Sequence, residues 1–318
     1  MSDRIETDLT NDGIDRRGFL KCMAWVGTGV LWTMHGGTWS SRVLGAQTAK
    51  PELKGDFSFV QVSDSHIGFA KEPNKDVIGT FKSAIDRINA LPATPELILH
   101  TGDLTHLAKP EEFDTVAQVL KGAKVDDVFY VPGEHDVFGD DARLYLERFG
   151  KGSRGLGWRS FDYSGVHFVG LVNVANLKPG GLGMLGNEQL DWLKNDLQGL
   201  GASTPIVVFA HVPLWSVYPK WGWGTEDSEQ ALGLLRRFGN VTVLNGHIHQ
   251  VLSKVEGNVT FHTACSTAFP QPEPGKAESP GPIKNVPADR LRKLLGLSRV
   301  DYRQTPTSLA IVDTTLEG

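Results

Sequence analysis

Cysteine, a basic charge excess and a long apolar run are scarce or missing in this chain of 318 residues. Its only two cysteines are Cys22 and Cys265. Secreted scaffolds that depend on disulfides carry many more cysteines, so the chain does not belong to that class. Cys22 lies in an N-terminal segment that we expect to be removed, which leaves Cys265 as a lone cysteine. A lone cysteine is most often a small buried apolar side chain, and this is what we expect of Cys265.

The charge balance argues against a second class. The formal net charge is -5, and residues 1–49 contribute five basic and five acidic side chains. The whole acidic excess therefore lies in the rest of the chain. Proteins that bind nucleic acid usually present a basic surface to the phosphate backbone. Nucleic acid is thus a disfavoured partner, although the sequence leaves room for a local basic groove.

The N-terminal segment has the order of an export signal. Arg16 and Arg17 precede Phe19-Leu20-Lys21, a modestly apolar stretch covers residues 22–34, and small residues lie between 44 and 49. This order resembles a twin-arginine signal; the alternative is a disordered tail with a chance arginine pair. The apolar stretch is too short for a permanent membrane span, which needs about 20 apolar residues. The resemblance implies the twin-arginine export machinery as a partner and a periplasmic or secreted location.

We interpret residues 1–49 as signal and linker and residues 50–318 as a single domain. Short apolar runs alternate there with amphipathic stretches, which predicts an α/β fold with helix-covered sheets. The predicted strands are Phe57–Ser63, Leu97–Thr101, Val128–Pro132, Val166–Leu171, Ile206–Ala210 and Val241–Asn245. The predicted helices are Lys75–Ala90, Glu111–Leu120, Asp141–Phe149, Asn187–Leu197 and Ser228–Phe238.

The last part of the chain has a different pattern. Proline-rich residues 270–287 predict a long irregular loop, and a short helix is predicted over residues 288–297. Irregular segments of this length are usually functional or disordered, so residues 270–297 are predicted to form a lid or a flexible insertion. Gly257-Asn258 suits a hairpin turn. Strands without intervening helices are predicted at Gln250–Glu256, Asn258–Ala264 and Ser308–Thr314.

Carboxylates and histidines cluster in five short segments, each at the end of an apolar run. Five of the ten histidines lie in these segments. The crevice beyond the carboxyl ends of strands is where the sites of open α/β sheets assemble. Imidazole with carboxylate suits Zn, Fe, Mn or Co better than Ca. The segments are Asp64-Ser65-His66, Gly102-Asp103, Gly133-Glu134-His135-Asp136, His211 and Gly246-His247-Ile248-His249.

In order and composition these segments resemble the calcineurin-like metallophosphoesterase superfamily, and the resemblance spans roughly Phe57 to Ala264. The resemblance is closest to its bacterial cyclic-nucleotide-phosphodiesterase-like branch. It implies a four-layer α/β/β/α sandwich of two mixed sheets flanked by helices. It also implies two divalent or transition metal ions (Fe, Mn, Zn or Co), which activate water and clamp a phosphate, and a small phosphoester substrate.

The resemblance assigns a role to each position that matches the family. The implied metal ligands are Asp64, His66 and His249 for one ion, His211 and His247 for the other, and Asp103 as the bridge. The implied catalytic pair is His135, which would face the phosphate, and Asp136, which would orient it.

Glu134 departs from the family pattern, which has an asparagine ligand of the second metal at this position. Glutamate can coordinate, and we predict that Glu134 does. Its negative charge would reduce the Lewis acidity of the metal and repel an anionic phosphoester. The alternative is a second site that is weak, remodelled or empty.

The sequence therefore predicts an exported, dinuclear metal-dependent phosphoesterase in which activated water attacks phosphorus. The resemblance favours a phosphodiester over a phosphomonoester as substrate. Because of Glu134, a metal-binding protein with little turnover, used for sensing or partner binding, is the alternative. The acidic net charge disfavours a nuclease.

His106 and a group of aromatic residues each have two interpretations. His106 either approaches the site or is a polar residue of the loop after Asp103. His100 is predicted to be a hydrogen-bonded core residue, and His167 and His262 to be structural. Residues 214–223, which contain three tryptophans and a tyrosine, form either the wall of a pocket or the packing of a glycine-rich loop.

Overall fold

The structure is a computed structural model that describes residues 29–35, 38–44, 55–139, 142–175, 177, 180–305 and 307–317. The chain divides into two units, residues 1–50 and 51–318. In the first unit, β1 (Gly29–His35) pairs with β2 (Thr38–Leu44) as an antiparallel hairpin. Arg16 and Arg17 lie outside the described residues, so the export signal stays a prediction.

The second unit contains a five-stranded mixed sheet. Its order is β13-β12-β3-β4-β5; the three strands that come first along the chain run parallel, and the last two are antiparallel to their neighbours. The strands are β3 (Phe57–Val62), β4 (Leu97–His100), β5 (Asp127–Tyr130), β12 (Gly296–Gln304) and β13 (Thr307–Thr315).

A six-stranded mixed sheet follows the order β10-β11-β9-β8-β7-β6. Its four inner strands are parallel, and the two edge strands are antiparallel to their neighbours. Its strands are β6 (Arg159–Tyr163), β7 (Val166–Leu171), β8 (Ile206–Ala210), β9 (Val241–Asn245), β10 (Ser253–Glu256) and β11 (Val259–Thr263).

Helices cover the outer faces of both sheets. In α1, the Asp76 side chain caps the first turn by accepting a hydrogen bond from the Gly79 amide, which satisfies a donor that the helix leaves unpaired. Apolar residues of α1 such as Phe81, Ile85 and Ile88 recur at helical spacing and are buried. The helices are α1 (Val77–Asn89), α2 (Pro110–Leu120), α3 (Arg143–Phe149), α4 (Asn187–Leu197), α5 (Ser228–Leu235) and α6 (Ala288–Leu294).

Three apolar cores define four layers. The first core joins α1 and α2 to the outer face of the first sheet, and the second joins α4 and α5 to the outer face of the second sheet. The third lies between the sheets, where Phe59 and Phe168 meet with ring centroids 5.3 Å apart. The predicted α/β/β/α sandwich of two mixed sheets is therefore confirmed.

The structure corrects the sequence-based boundaries in two places. The helix predicted over residues 288–297 ends at Leu294, because Gly296 and Leu297 belong to β12, which pairs with β3. The strands β1, β2, β6 and β12 were not predicted at all. Residues 270–287 contain neither helix nor strand, as expected. Among the helices of the described residues, none has the length and apolarity to cross a membrane.

The buried side chain of His167, on β7, lies between two carboxylates. Its Nδ1 is 2.8 Å from Asp162 Oδ1, and its Nε2 is 2.9 Å from Asp196 Oδ2. Burial by itself would lower the pKa of His167, but the hydrogen bonds to Asp196 and Asp162 raise it above its usual value. His167 is thus a structural residue of the second sheet, as predicted.

We expect His167→Gln to lower the melting temperature most at acidic pH. Because the folded-state pKa is raised, the stabilisation is complete below the ordinary histidine pKa of about 6.5 and is lost as the pH rises through the raised value. Charged hydrogen bonds contribute about 1.5–3 kcal/mol, which corresponds to a decrease of roughly 3–10 °C at pH 5.5. Calorimetry at pH 5.5 and pH 9 measures the difference.

The control is Asp126→Asn, which removes an exposed carboxylate and should follow the wild-type protein at both pH values. An equal loss of melting temperature for His167→Gln at pH 5.5 and pH 9 would contradict a charged His167.

Candidate functional site

The five polar segments all follow the carboxyl ends of parallel strands. The structure therefore brings the predicted residues of both sheets together, where their ligand atoms form overlapping clusters. Asp64 and His66 follow β3, Asp103 follows β4, Glu134, His135 and Asp136 follow β5, His211 follows β8, and His247 and His249 follow β9.

Left-handed backbone is concentrated at these residues. Among the described residues eight non-glycine positions have positive φ, and five of them are Asp64, His66, Asp103, His247 and His249. Such a conformation costs on the order of 1–3 kcal/mol and persists only where the surrounding structure enforces it, most often at functional sites. The surrounding structure therefore holds the backbone of the site in a conformation that these residues would not favour by themselves.

Glycines allow the loops to approach one another. A Cβ atom at Gly133 would overlap the Asp103 carboxylate, and one at Gly246 would overlap Ser63 Oγ and come within 2.6 Å of Asp64 Oδ2. The glycines beside the ligands are thus required by close contact between loops.

The first group of ligand atoms belongs to Asp64, His66 and His249, all of which are buried. His66 Nε2 lies 3.2 Å from His249 Nε2, and Asp64 Oδ1 lies 3.2 Å from the same His249 nitrogen. Two imidazole nitrogens and a carboxylate oxygen therefore converge on one point.

The second group belongs to Glu134, His211 and His247. Glu134 Oε2 lies 3.0 Å from His211 Nε2, and Glu134 Oε1 lies 3.1 Å from His247 Nδ1. The His211 and His247 nitrogens are 3.3 Å apart. The structure thus brings Glu134 together with the histidines of the second group, where the sequence interpretation placed it.

Asp103 stands between the two groups. Its Oδ2 atom lies 3.4 Å from His66 Nε2 and 3.4 Å from His211 Nε2. Its other oxygen, Oδ1, accepts a hydrogen bond of 3.0 Å from the His135 amide. One carboxylate oxygen is therefore equally close to a histidine of each group, and the other is held by the backbone.

Main-chain carbonyls fix the tautomers of two ligand histidines. His211 Nδ1 donates to Thr101 O at 2.7 Å, and His249 Nδ1 donates to Phe269 O at 2.6 Å. Each ring therefore carries its proton on Nδ1 and presents an unprotonated Nε2 to the cluster when neutral. Such outer partners orient the histidine ligands of metal sites.

The pKa shifts in the cluster show that its carboxylates favour a positive charge beside them. Burial and the neighbouring His135 lower the pKa of His66 well below its usual value, which favours the neutral ring that binds metal. Burial would raise the pKa of Glu134, but His247 and His211 hold it well below its usual value. Burial would lower the pKa of His211, but Asp103 and Glu134 raise it well above the ordinary one. The carboxylates thus recruit a cation beside His211, either a proton or a metal.

The residues fit metal ions on three observations. The imidazole nitrogens of His66 and His249 face each other at 3.2 Å, where two lone pairs would repel unless a cation or a proton lay between them. Glu134 Oε2 is buried 3.0 Å from His211 Nε2, and it receives no hydrogen bond there when His211 is neutral with its proton on Nδ1. Finally, mixed imidazole and carboxylate donors are the set that Zn, Fe, Mn and Co prefer.

His135 lies at the edge of both groups. Its ring centroid is 4.8 Å from that of His66, at an interplanar angle of 80°, and its Nδ1 donates to the His106 carbonyl at 2.7 Å. Burial would lower the pKa of His135, but the Asp103 and Glu134 carboxylates raise it. When the ring is protonated, Nε2 is the atom that can donate a hydrogen bond at this edge.

Asp136 does not have the orienting role that the sequence interpretation gave it. Its carboxylate accepts hydrogen bonds from the amides of Leu104, Thr105 and Gly133 and from the Thr105 hydroxyl, all at 2.8–3.0 Å. The ring of His135 is held by the His106 carbonyl instead. Asp136 therefore fastens the loop after β4 to the loop after β5, and it acts on the site through the backbone.

Sequence reasoning undervalued two neighbours of the ligands. His106, interpreted mainly as a loop residue, has its Nδ1 3.5 Å from His66 Nδ1, and burial lowers its pKa to about 4. Phe269, which was not considered, stacks on the ring of His66 and packs at a tilt against that of His249, with both centroid distances 4.7 Å. For His106, the one available signal in the sequence was its position three residues after Asp103. The contact of Phe269 arises because the chain folds back onto the site, and nothing in the sequence predicts that fold-back.

The other ambiguous residues pack away from the ligand atoms. His100 is fully buried, and its Nε2 is hydrogen bonded to Ser65 Oγ at 3.1 Å, as predicted for a core histidine. His262 bonds Asp313 and Ser253. Trp221 and Trp223 are buried against Ile248. These two tryptophans therefore support the loop that carries His247 and His249, which confirms the packing interpretation for them.

Comparison with known proteins agrees with this geometry. A 3′,5′-cyclic-nucleotide phosphodiesterase from Nostoc is 28% identical over 219 residues, 67% of this chain and 79% of that protein. A glycerophosphodiester phosphodiesterase from Enterobacter lignolyticus is 23% identical over 257 residues, 77% of this chain and 89% of that protein. A dimetal phosphatase structure from Danio rerio shares the fold, with a TM-score of 0.55, 14% identity, and coverage of 82% of this chain and 99% of that one.

The family model for calcineurin-like phosphoesterases matches residues 57–251, which include every ligand candidate described above. This match covers more than half of the chain, and members of the family use divalent metals. The chain belongs to the calcineurin-like phosphoesterase family.

Proposed function

We propose that this protein is an exported phosphoesterase that holds two metal ions and hydrolyses phosphodiesters in preference to phosphomonoesters. The observation that carries the proposal is the position of Asp103. Its Oδ2 atom is 3.4 Å from a histidine nitrogen of each ligand group, which suits a carboxylate that bridges two ions. Asp64, His66 and His249 would hold one ion, and Glu134, His211 and His247 the other.

The metals would supply the Lewis acidity that lowers the pKa of a water molecule and balances the charge of the phosphoryl group. The protein supplies the rest. Asp103 fixes the separation of the two ligand groups, and the carbonyls of Thr101 and Phe269 fix the tautomers of His211 and His249. The donor set favours Fe, Mn, Zn or Co.

His135 is the proposed acid of the reaction. Because Nδ1 is occupied by the His106 carbonyl, the proton that it can give lies on Nε2. The raised pKa of His135, which the carboxylates of Asp103 and Glu134 cause against the effect of burial, increases the protonated fraction. Such a group stabilises charge on the phosphoryl oxygens or protonates the leaving oxygen.

Two arguments support a phosphodiester as substrate. The relatives from Nostoc and Enterobacter are both phosphodiesterases. In addition, Glu134 gives the site a third carboxylate beside Asp64 and Asp103. Each added negative charge penalises a dianionic phosphomonoester more than a monoanionic phosphodiester, because the repulsion scales with the charge of the substrate.

The proposed location is periplasmic or extracellular, by twin-arginine export. Arg16 and Arg17 with the apolar stretch that follows them carry this part of the proposal. It is independent of the chemistry at the metal site.

Hydrolysis of bis-p-nitrophenyl phosphate should exceed that of p-nitrophenyl phosphate in the presence of Mn, Fe, Zn or Co. His135→Ala should lower kcat about 10²- to 10⁴-fold, as expected for loss of a general acid, with little change in melting temperature. His262→Gln, a histidine variant outside the ligand clusters, is the control. Preference for the monoester would refute the diesterase assignment, and absence of turnover with every metal would favour the metal-binding alternative.

Glu134→Gln should weaken one metal site and alter substrate preference. The amide keeps the shape of the side chain and removes its charge, so the affinity for the second ion should fall at least about tenfold. The ratio of monoester to diester hydrolysis, measured at saturating metal, should rise because the site is less negative. Unchanged binding of two ions together with an unchanged ratio would show that Glu134 is not a ligand.

A further inference from the structure

We propose that His106 is a positioning residue that fixes two histidines of the site at once, His66 through its ring and His135 through its main-chain carbonyl. The only signal for this residue in the sequence is its position three residues after Asp103. The inference rests on the proposed function in one respect, because it concerns how His66 is presented to a metal.

The ring contact follows from the tautomer of His66. Its Nε2 faces His249 Nε2 at 3.2 Å and Asp103 Oδ2 at 3.4 Å, so this nitrogen is the one available to a metal and carries no proton when it binds. The proton of a neutral His66 then lies on Nδ1. Its hydrogen-bond partner there is His106 Nδ1, at 3.5 Å. His106 must therefore accept at Nδ1 and carry its own proton on Nε2.

The carbonyl contact fixes the other histidine. His106 O accepts a hydrogen bond of 2.7 Å from His135 Nδ1. The two imidazoles also stack, with centroids 4.9 Å apart and an interplanar angle of 17°. A displacement of His106 would therefore move the phosphate-facing histidine together with the metal-facing one.

The backbone holds His106 in register with His66. The His66 amide donates to Asp103 O at 2.9 Å, the Ile67 amide donates to Leu104 O at 3.0 Å, and the His106 amide donates to Ile67 O at 2.9 Å. Phe69 and the His106 ring form a T-shaped contact, with a centroid distance of 5.2 Å and an interplanar angle of 86°. The ring is thus placed by packing and by paired loops, as a rigid outer partner of a metal ligand needs to be.

Two other roles for His106 make different predictions. His66, His106 and His135 offer ligand atoms within 4.8 Å of one another, so a third metal ion is one rival. Direct contact of His106 with the substrate is the other. The positioning role alone requires an acceptor at Nδ1 and nothing at Nε2.

Three variants separate these roles. Asn places its amide oxygen near the position of histidine Nδ1, Gln places its amide near Nε2, and Phe keeps the ring without nitrogen. Zn²⁺ binding by the apoprotein is measured by competition with a chelating dye, together with kcat, KM and melting temperature. The main-chain carbonyl is present in all three proteins, so the experiment isolates the ring contact.

We expect the wild-type protein to bind two Zn²⁺ ions. In His106→Phe and His106→Gln the affinity for one of them should fall about 10- to 100-fold. In His106→Asn the change should stay within about threefold, because the acceptor is restored. Melting temperatures of the three apoproteins should agree with one another, and KM should be unchanged at saturating Zn²⁺.

Three results would overturn the proposal. A third zinc equivalent in the wild-type protein that all three variants lose would identify His106 as a ligand. A rise in KM with unchanged zinc affinity would identify a substrate contact. Normal zinc binding by all variants would leave the phosphoesterase proposal intact and remove this one, whereas a wild-type protein that binds neither zinc nor Mn, Fe or Co would refute both.

Discussion

The mutual repulsion of three carboxylates, and of facing imidazole lone pairs, is the constraint on which this structure depends. Asp64 and Asp103 are almost fully buried, and Glu134 is largely so. Anionic groups withdrawn from water are costly unless they are paired or bind metal. The raised pKa of His211, caused by Asp103 and Glu134 against the effect of burial, is one response to this charge. The two proposed divalent ions would be a more complete one.

The fold holds these groups together with strained backbone conformations. Five ligand candidates have left-handed backbone, and the glycines at 133 and 246 allow loops of different strands to touch. Asp136 then ties two of these loops with three hydrogen bonds and accepts a fourth within its own loop. The sandwich beneath contributes rigid strand ends, and the chemistry is added by the loops that follow them.

The sequence predicted the layers and the residues that meet at the sheet edge, because both have local signatures. Apolar runs mark the buried strands, and a carboxylate or histidine directly after each run marks the sheet edge. It missed β12, a central strand of its sheet, because that strand contains charged residues and has no apolar run. Two of these residues, Arg299 and Asp301, form an ion pair on the same strand. It also assigned the support of His135 to Asp136, because a main-chain carbonyl such as that of His106 leaves no trace in a residue pattern.

Anomalous diffraction from crystals grown with Mn²⁺ tests the central claim most directly. The account predicts two peaks about 3.5–4 Å apart, one on each side of the Asp103 carboxylate. Glu134 would coordinate the ion at the peak beside His211 and His247. A single peak beside His66 and His249, with the Glu134 side free of metal, would contradict a dinuclear centre in this protein.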